Sequence, residues 1–291
     1  MDNMRFDNIV RDLVVDDAKR EAEMQRLSPA DRSYLVFFTA RSGSSWLTSV
    51  LAETKRLGFP EEYLNPAFVR DVCTATNART QGSLLDMLKR RRRTPNGVFS
   101  MEVRAVDIDL FGEEAFFAAF DPKTIVFNLW RDNIVAQGVS LYRAVSTGHY
   151  HSTDAAPPVA PAYDAESIKL WTKHILSDEN LNLTMLARRG RPARFLRYED
   201  IMRDQATTVR QFADALRVDL PEGAAPPDTS AEPRHEKIGD SWNREAETRF
   251  RHEEAAFVAT VESQRLIRLQ PGEPKWRALY AAGEPTVQHV A

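Results

Sequence analysis

Hydrophobic and polar residues alternate along the chain with two different periods. Short β-branched and aromatic runs of strand length occupy residues 34–39, 98–103, 124–129 and 193–197. After each run, apolar residues recur every three or four positions, which is typical of an amphipathic helix. Strands that alternate with helices indicate a parallel sheet covered on both faces. We therefore predict an α/β fold of three layers, αβα, with a central parallel sheet of about four to five strands.

The helical pattern sets the limits of the predicted helices. One amphipathic N-terminal helix is predicted over residues 6–27, and a helix that begins at Trp46 is predicted to end near Gly58, a suitable C-cap. The pattern of residues 65–93 is helical but broken. Further helices are predicted over residues 113–120, 134–148, 165–188, 201–217 and 245–269.

The pattern also suggests how the chain is divided. We predict an N-terminal helical extension over residues 1–32, one α/β domain over 33–270 and a C-terminal tail over 271–291. Two connections, 152–162 and 221–233, are rich in Pro and Ala, and the first is interpreted as a mobile loop or lid. The N-terminal helix could pack on its own domain or on a second subunit, so a homodimer stays open.

Composition narrows the classes of partner. The 39 basic and 42 acidic side chains give a net charge of −3, so no overall field attracts nucleic acid. The single cysteine, Cys73, excludes an intrachain disulfide and fits a reducing cytoplasm. No apolar run reaches the roughly 20 residues of a membrane span, and no signal peptide is recognisable. We expect a cytoplasmic protein with no transmembrane segment.

The segment after the first strand predicts an anion site. It reads Ala-Arg-Ser-Gly-Ser-Ser-Trp over residues 40–46, a tight loop between a strand and a helix. Unpaired N–H groups and the helix dipole favour a phosphate or sulfate at such a junction, and an arginine adds a forked cation. The alternative is an ordinary turn with a serine N-cap. The candidate ligands are Arg41, Ser42, Gly43, Ser44 and Ser45.

Other polar residues near predicted strand ends are candidates as well. Arg131 follows the third strand, at the crevice where open α/β sheets bind ligands. Glu61 and Glu62 follow the helix that begins at Trp46. They are candidate site residues, and the alternative is that both are solvated loop acids. His149 and His151 could contact a substrate or be exposed bystanders.

Four blocks resemble known sulfotransferases. Residues 40–46 resemble the sulfate-side phosphate loop of sulfotransferases, and Gly-Phe-Pro-Glu-Glu-Tyr over 58–63 is similar to the Gly-x-Pro-x-Glu-Phe/Tyr segment of the bacterial trehalose 2-sulfotransferase family. Arg-Thr-Pro-Asn-Gly-Val over 93–98 and Gln-Gly-Val-Ser-Leu-Tyr-Arg-Ala over 137–144 are also similar to that family. The blocks cover about residues 33–150 in the family's order.

The resemblance implies a P-loop-like fold that binds 3′-phosphoadenosine 5′-phosphosulfate and releases 3′,5′-adenosine bisphosphate. The acceptor it implies is a hydroxyl of a carbohydrate or glycolipid, and sulfuryl transfer requires no metal in principle. By position, Arg41 with residues 42–45 would hold the 5′-phosphosulfate, and Arg131 with Ser140 the 3′-phosphate. Glu62 aligns with the proposed general base, so Glu62 and Arg41 are the implied catalytic residues.

The resemblance suggests further contacts. Trp46 stands where many sulfotransferases place an aromatic ring against adenine, and Trp242 resembles the segment that closes over the nucleotide. Candidate acceptor contacts are Glu61, Tyr63, His149 and His151.

One position departs from the family pattern. Where the family often has a lysine, this chain has Glu102, and Arg104 two residues on could supply a cation on the same side. Glu102 supports an alternative interpretation, in which the chain is a non-catalytic sulfonucleotide-binding or scaffold protein of the same fold. A P-loop kinase is the third reading, although the Gly-x4-Gly-Lys-Ser/Thr motif is absent. Trehalose itself is not predicted as the acceptor, because the likeness is poor in the acceptor region.

Overall fold

The computed structural model describes residues 5–150, 159–220 and 241–268, with side chains to 265. At its centre is a parallel sheet of four strands in the order β2-β1-β3-β4. The strands are β1 (Arg32–Phe37), β2 (Val98–Val103), β3 (Ile125–Trp130) and β4 (Ala193–Arg197). The predicted α/β fold with a central parallel sheet is confirmed.

Helices connect and flank these strands. They are α1 (Phe6–Val10), α2 (Asp17–Arg26), α3 (Ser44–Glu53), α4 (Val69–Thr76), α5 (Gln81–Arg91), α6 (Ala105–Phe111), α7 (Glu113–Ala118), α8 (Ile134–Thr147), α9 (Ala165–Arg188), α10 (Tyr198–Arg203), α11 (Gln205–Leu216), α12 (Ser241–Glu253) and α13 (Ala255–Arg268). Within the described ranges, none of these helices is both long enough and apolar enough to cross a membrane.

The strands are apolar on both sides because helices cover both faces of the sheet. Leu35 and Phe37 of β1 pack into one core cluster, which also holds side chains of α4, α5, α6 and α7. Tyr34 and Val36 point to the opposite face and pack with α3 and α11. A third cluster joins α8 and α9 to α12 and α13.

The N-terminal helix was predicted as one element, and this prediction is wrong. The chain forms α1 and α2 with an interruption between them. The Asp16 side chain caps α2 by accepting a hydrogen bond from the Lys19 N–H, and the Asp16 N–H donates to the Asn77 side chain. α1 packs on its own domain, with Phe6 4.8 Å from Phe111 between ring centroids. No residue of α2 is buried.

Three further helix limits need correction. α3 ends at Glu53 and not near Gly58, because the Thr54 hydroxyl accepts hydrogen bonds from the N–H groups of the next turn. The segment 201–217 forms two helices because Asp204 caps α11, and 245–269 likewise divides into α12 and α13. α6 was not predicted at all. Residues 152–158 of the predicted connection 152–162, the predicted connection 221–233 and the tail 271–291 lie outside the described residues.

The carboxyl ends of β1, β2 and β3 meet at one edge of the sheet, as they must in a parallel arrangement. Asn182 of α9 fastens this edge: its side-chain amide donates to the Phe38 carbonyl at 2.8 Å and accepts from the Ala105 N–H at 2.7 Å. Asn182 is buried, so both hydrogen bonds are shielded from water. The segments that follow β1 and β2 therefore start from fixed positions.

Candidate active site

The loop after β1 has a backbone suited to an anion. Arg41 has φ 64 and Gly43 has φ 94, so the chain turns sharply before α3 begins at Ser44. No side chain caps α3, which leaves its first N–H groups directed at the loop. The Ser42 hydroxyl is buried and has no hydrogen-bond partner among the described residues. The loop thus offers both backbone and side-chain donors to a ligand.

Tyr198, at the start of α10, packs directly against this loop. A Cβ atom at Gly43 would lie 2.3 Å from Cδ2 of Tyr198, so the close approach requires glycine. The guanidinium carbon of Arg131 lies 4.9 Å from the centroid of the same ring. Tyr198 was not predicted as a site residue, since only its place after β4 could have indicated it.

α8 holds the loop from the other side. The Gln137 amide donates to the Thr39 hydroxyl at 2.9 Å and to the Ala40 carbonyl at 2.8 Å. Arg41 Nε donates to the Ser140 hydroxyl at 3.0 Å. The structure therefore brings together Arg41 and Ser140, which stand 99 residues apart in the sequence.

Three arginines share this corner of the molecule. Burial is the main cause that lowers the pKa of Arg41, and the positive charges of Arg131 and Arg143 lower it further. Within the described ranges, neither Arg41 nor Arg131 is bonded to a carboxylate, and Arg131 Nε is buried with no partner. Like charges such as those of Arg41 and Arg131, close together and with no carboxylate bonded to them among the described residues, are typical of a site for a polyanion.

The segment 61–63 runs along the outer side of β2. The Glu61 carbonyl accepts from the Glu102 N–H at 3.1 Å, and the Glu61 carboxylate pairs with Arg92 at 2.7 Å. Tyr63 is buried and stacks on Phe99. The Glu62 carboxylate accepts from the Asn65 amide at 2.8 Å. All three residues thus have contacts that hold the segment in place.

Glu102 and Arg104 lie close to Glu62. Glu102 is only 3% exposed, and its carboxyl group contacts the Thr48 hydroxyl at 2.8 Å. Arg104 forms a two-pronged ion pair with Asp107, both contacts at 2.8 Å. Burial lowers the pKa of Arg104, but Asp107 and then the charge of Glu62 raise it overall. The Arg104 cation therefore interacts with Glu62, although its hydrogen bonds go to Asp107.

The sequence of the chain matches the model of a known protein family. The family model described as Stf0 sulphotransferase matches residues 33–253. This chain belongs to the Stf0 sulphotransferase family. The sulfotransferase membership predicted from the four blocks is thus confirmed.

This Stf0 sulphotransferase also resembles a solved structure. It is similar to the sulfotransferase domain of the Synechococcus PCC 7002 olefin synthase, with a TM-score of 0.44 and 15% identity, over 88% of this chain and 95% of that one. No curated protein matches the chain.

A second layer of residues holds the Arg131 turn of this Stf0 sulphotransferase. Arg265 of α13 is buried and forms a two-pronged ion pair with Glu179 of α9, at 3.1 and 2.7 Å. The same guanidinium donates to the Asp132 carbonyl at 2.7 Å and to the Arg131 carbonyl. The Glu199 carboxylate accepts from the Asp132 N–H at 3.0 Å. The turn between β3 and α8 is thus fixed from both sides.

The two candidate tryptophans lie at different places. Trp46 is half-buried against the core cluster of α3 and α11, and its indole N–H has no partner among the described residues. Trp242 of α12 lies 5.9 Å from the Arg143 guanidinium carbon and 6.3 Å from Tyr142, measured from ring centroids. α12 therefore brings Trp242 next to the arginine corner.

The remaining candidates are placed as follows. His149 follows α8 and is half-buried, and neither ring nitrogen has a partner among the described residues. His151 lies outside the described residues. The basic residues at the end of α5 are engaged in the fold and are not site residues, since Arg90 pairs with Asp86 and Arg91 with Glu23.

Proposed function

We propose that this protein transfers the sulfuryl group of 3′-phosphoadenosine 5′-phosphosulfate to a hydroxyl of a carbohydrate or glycolipid acceptor in the cytoplasm. Family membership supports sulfuryl transfer in general. The observation that carries the finer proposal is the pair of half-buried arginines, Arg41 and Arg131, at the loop before α3; neither has a carboxylate partner among the described residues. A nucleotide with two separate anionic groups matches such a pair.

The residues fit the donor in two parts. Arg41, the Ser42 hydroxyl and the N–H groups of residues 43–45 would hold the 5′-phosphosulfate. Arg131 and Ser140 would hold the 3′-phosphate, and Arg131 Nε, which has no partner within the described ranges, would be a donor. Trp46 would pack against adenine, and Trp242 would close the site beside Arg143.

The chemistry assigned to the chain is charge stabilisation and proton removal. The bound donor supplies the activated sulfuryl group. Arg41 and the start of α3 stabilise negative charge that builds on the bridging oxygen as the bisphosphate leaves. Glu62 accepts the proton of the acceptor hydroxyl, a contribution on the order of 10²–10⁴-fold.

The acceptor class rests on the sequence resemblance. We place the acceptor on the Glu62 side of the loop, with Glu61, Tyr63, His149 and His151 as candidate contacts. A sugar hydroxyl suits this side because carboxylate, phenol and imidazole groups all form hydrogen bonds with it.

Binding of the bisphosphate product tests the donor site. Calorimetric titration with 3′,5′-adenosine bisphosphate should show Arg131→Ala binding about 10- to 100-fold more weakly than wild type, because a charge-assisted contact is lost. Arg210→Ala, on the exposed surface of α11, is the matched control and should bind as wild type does. Equal affinity of Arg131→Ala and wild type would remove Arg131 from the donor site.

Turnover tests the base. With labelled donor and a panel of sugars and glycolipids, Glu62→Gln should lower kcat by about 10²–10⁴-fold and leave bisphosphate affinity nearly unchanged. Glu53→Gln, at the exposed end of α3, is the control for the same chemical change. Unchanged turnover in Glu62→Gln would exclude it as the base.

A second candidate function is non-catalytic binding of the sulfonucleotide, which the acidic Glu102 in place of a family lysine favours. Bisphosphate binding without transfer to any member of the panel would support it. Preference for ATP over the bisphosphate would instead point to a kinase.

A further inference from the structure

Glu102 occupies an unusual place for an acid. It is buried in β2, between β1 and the segment 61–63, and its side chain turns toward α3. The loop at the start of α3 is the part of the molecule to which the donor's negative charges are assigned. An ionised carboxylate at this position would repel the donor and would be costly to bury.

The hydrogen bonds around Thr48 determine where the protons lie. The Thr48 hydroxyl oxygen is 2.6 Å from the Pro60 carbonyl and 2.8 Å from Glu102 Oε1. A hydroxyl has one proton to donate, and a carbonyl oxygen can only accept. If Thr48 donates to Pro60, the proton of its second hydrogen bond must come from Glu102. Both contacts are satisfied only when Glu102 is a carboxylic acid.

The charges around Glu102 act in the same direction. Burial raises the pKa of Glu102 well above its usual range, and the nearby charges of Glu62 and Glu61 raise it further. The hydroxyl groups of Thr48 and Ser44 offset part of this rise, because each can hydrogen-bond with the carboxyl group of Glu102. On the β1 side the titratable neighbour is the phenol of Tyr34, which is uncharged at neutral pH, and burial raises its pKa further.

We propose that Glu102 is a neutral positioning acid: through Thr48 and Pro60 it fixes the segment that carries Glu62, and its proton keeps a second negative charge away from the donor. This inference rests on the proposed function for its catalytic consequence. Its structural part, a protonated Glu102 bonded to Thr48, stands separately. The backbone contact from the Glu102 N–H to the Glu61 carbonyl anchors the same segment.

Infrared spectroscopy of the full chain tests the structural part without any activity. At neutral pH, the difference between wild type and Glu102→Gln should contain the C=O stretch of a protonated carboxyl group. Glu53→Gln, exposed on α3, should remove only carboxylate bands. A carboxylate difference for Glu102→Gln would overturn the proposal, whether or not the protein transfers sulfate.

Kinetics test the catalytic consequence. In wild type, kcat should fall at alkaline pH as Glu102 ionises, and Glu102→Gln should lack this fall. Glu102→Leu and Thr48→Val should each lower kcat about tenfold, because each removes a hydrogen bond from the series that links Glu102, Thr48 and Pro60. The bisphosphate affinity should change little. Glu102→Gln should recover most of the kcat that Glu102→Leu loses, because its amide can donate to Thr48.

The control for Thr48→Val is Ser49→Ala. The Ser49 hydroxyl is buried in the same helix and, among the described residues, bonds only to the Ser45 carbonyl one turn earlier. It should retain wild-type kcat. An alkaline limb that persists in Glu102→Gln, or a Thr48→Val enzyme as active as Ser49→Ala, would overturn the positioning role.

Discussion

Single residues of this site are restricted by contacts with distant parts of the chain. Gly43 cannot carry a side chain because Tyr198 already occupies the space of its Cβ atom. Tyr198 in turn lies under the Arg131 guanidinium, so its ring contacts groups from two loops. The neutral acid at Glu102 is a third case, since its proton depends on Thr48 and Pro60. Residue identity at these points is determined by tertiary structure.

Glu102 should make the stability of the fold depend on pH. An unfolded glutamate has a pKa of about 4.3, whereas buried Glu102 keeps its proton to a much higher pH. Between these two pKa values the folded protein binds one more proton than the unfolded chain. As the pH rises through this range, the unfolding free energy of wild type should therefore fall by about 1.4 kcal/mol per pH unit relative to that of Glu102→Gln.

Urea unfolding of both proteins across this pH range measures the difference. The pair of wild type and exposed Glu53→Gln should show a nearly constant difference over the same range. A flat difference for Glu102→Gln as well would mean that Glu102 is ionised in the folded protein.

At the scale of elements, α13, the last described helix, supports the Arg131 turn, which lies far from it in the sequence. α13 places Arg265 against Glu179 of α9 and against the backbone carbonyls of the Arg131 turn. A buried ion pair adds little stability by itself, but it costs much when one partner is removed. The pair thus fixes geometry more than it stabilises the fold.

Arg265→Met should cost about 3–5 kcal/mol of unfolding free energy, because Glu179 is left buried without its counter-ion. The double variant Arg265→Met/Glu179→Leu should recover most of this stability. Both variants should bind 3′,5′-adenosine bisphosphate more weakly, since the Arg131 turn loses its support. Urea unfolding and calorimetric titration separate the two effects. If the double variant were stable and bound like wild type, Arg265 would have no part in positioning Arg131.

At the scale of the whole molecule, local pattern predicted the fold better than it predicted the contacts of the site. The strand before the loop and α8 with its terminal Gly148 follow from periodicity and a glycine C-cap. The break after α1 and the extra helix α6 depend on tertiary contacts and were not predicted.

The same limit applies to the site. The loop and Arg131 are visible in the sequence because they stand at strand ends. Arg265 is 86 residues from Glu179 and 133 from Asp132, and no local pattern connects them. The burial of Glu102 is equally non-local, since it depends on how α3 and the segment 61–63 pack against β2.

The Arg265 contact has a consequence for the order of events during synthesis. The strands and the loop at 40–46 leave the ribosome long before α13, and chains tend to fold from their N-terminal part first. A nascent chain could thus assemble its sheet while the Arg131 turn still lacks its support. The turn is completed only when α13 docks on α9, so the growing chain would gain these contacts to the turn only after α13 has been synthesised.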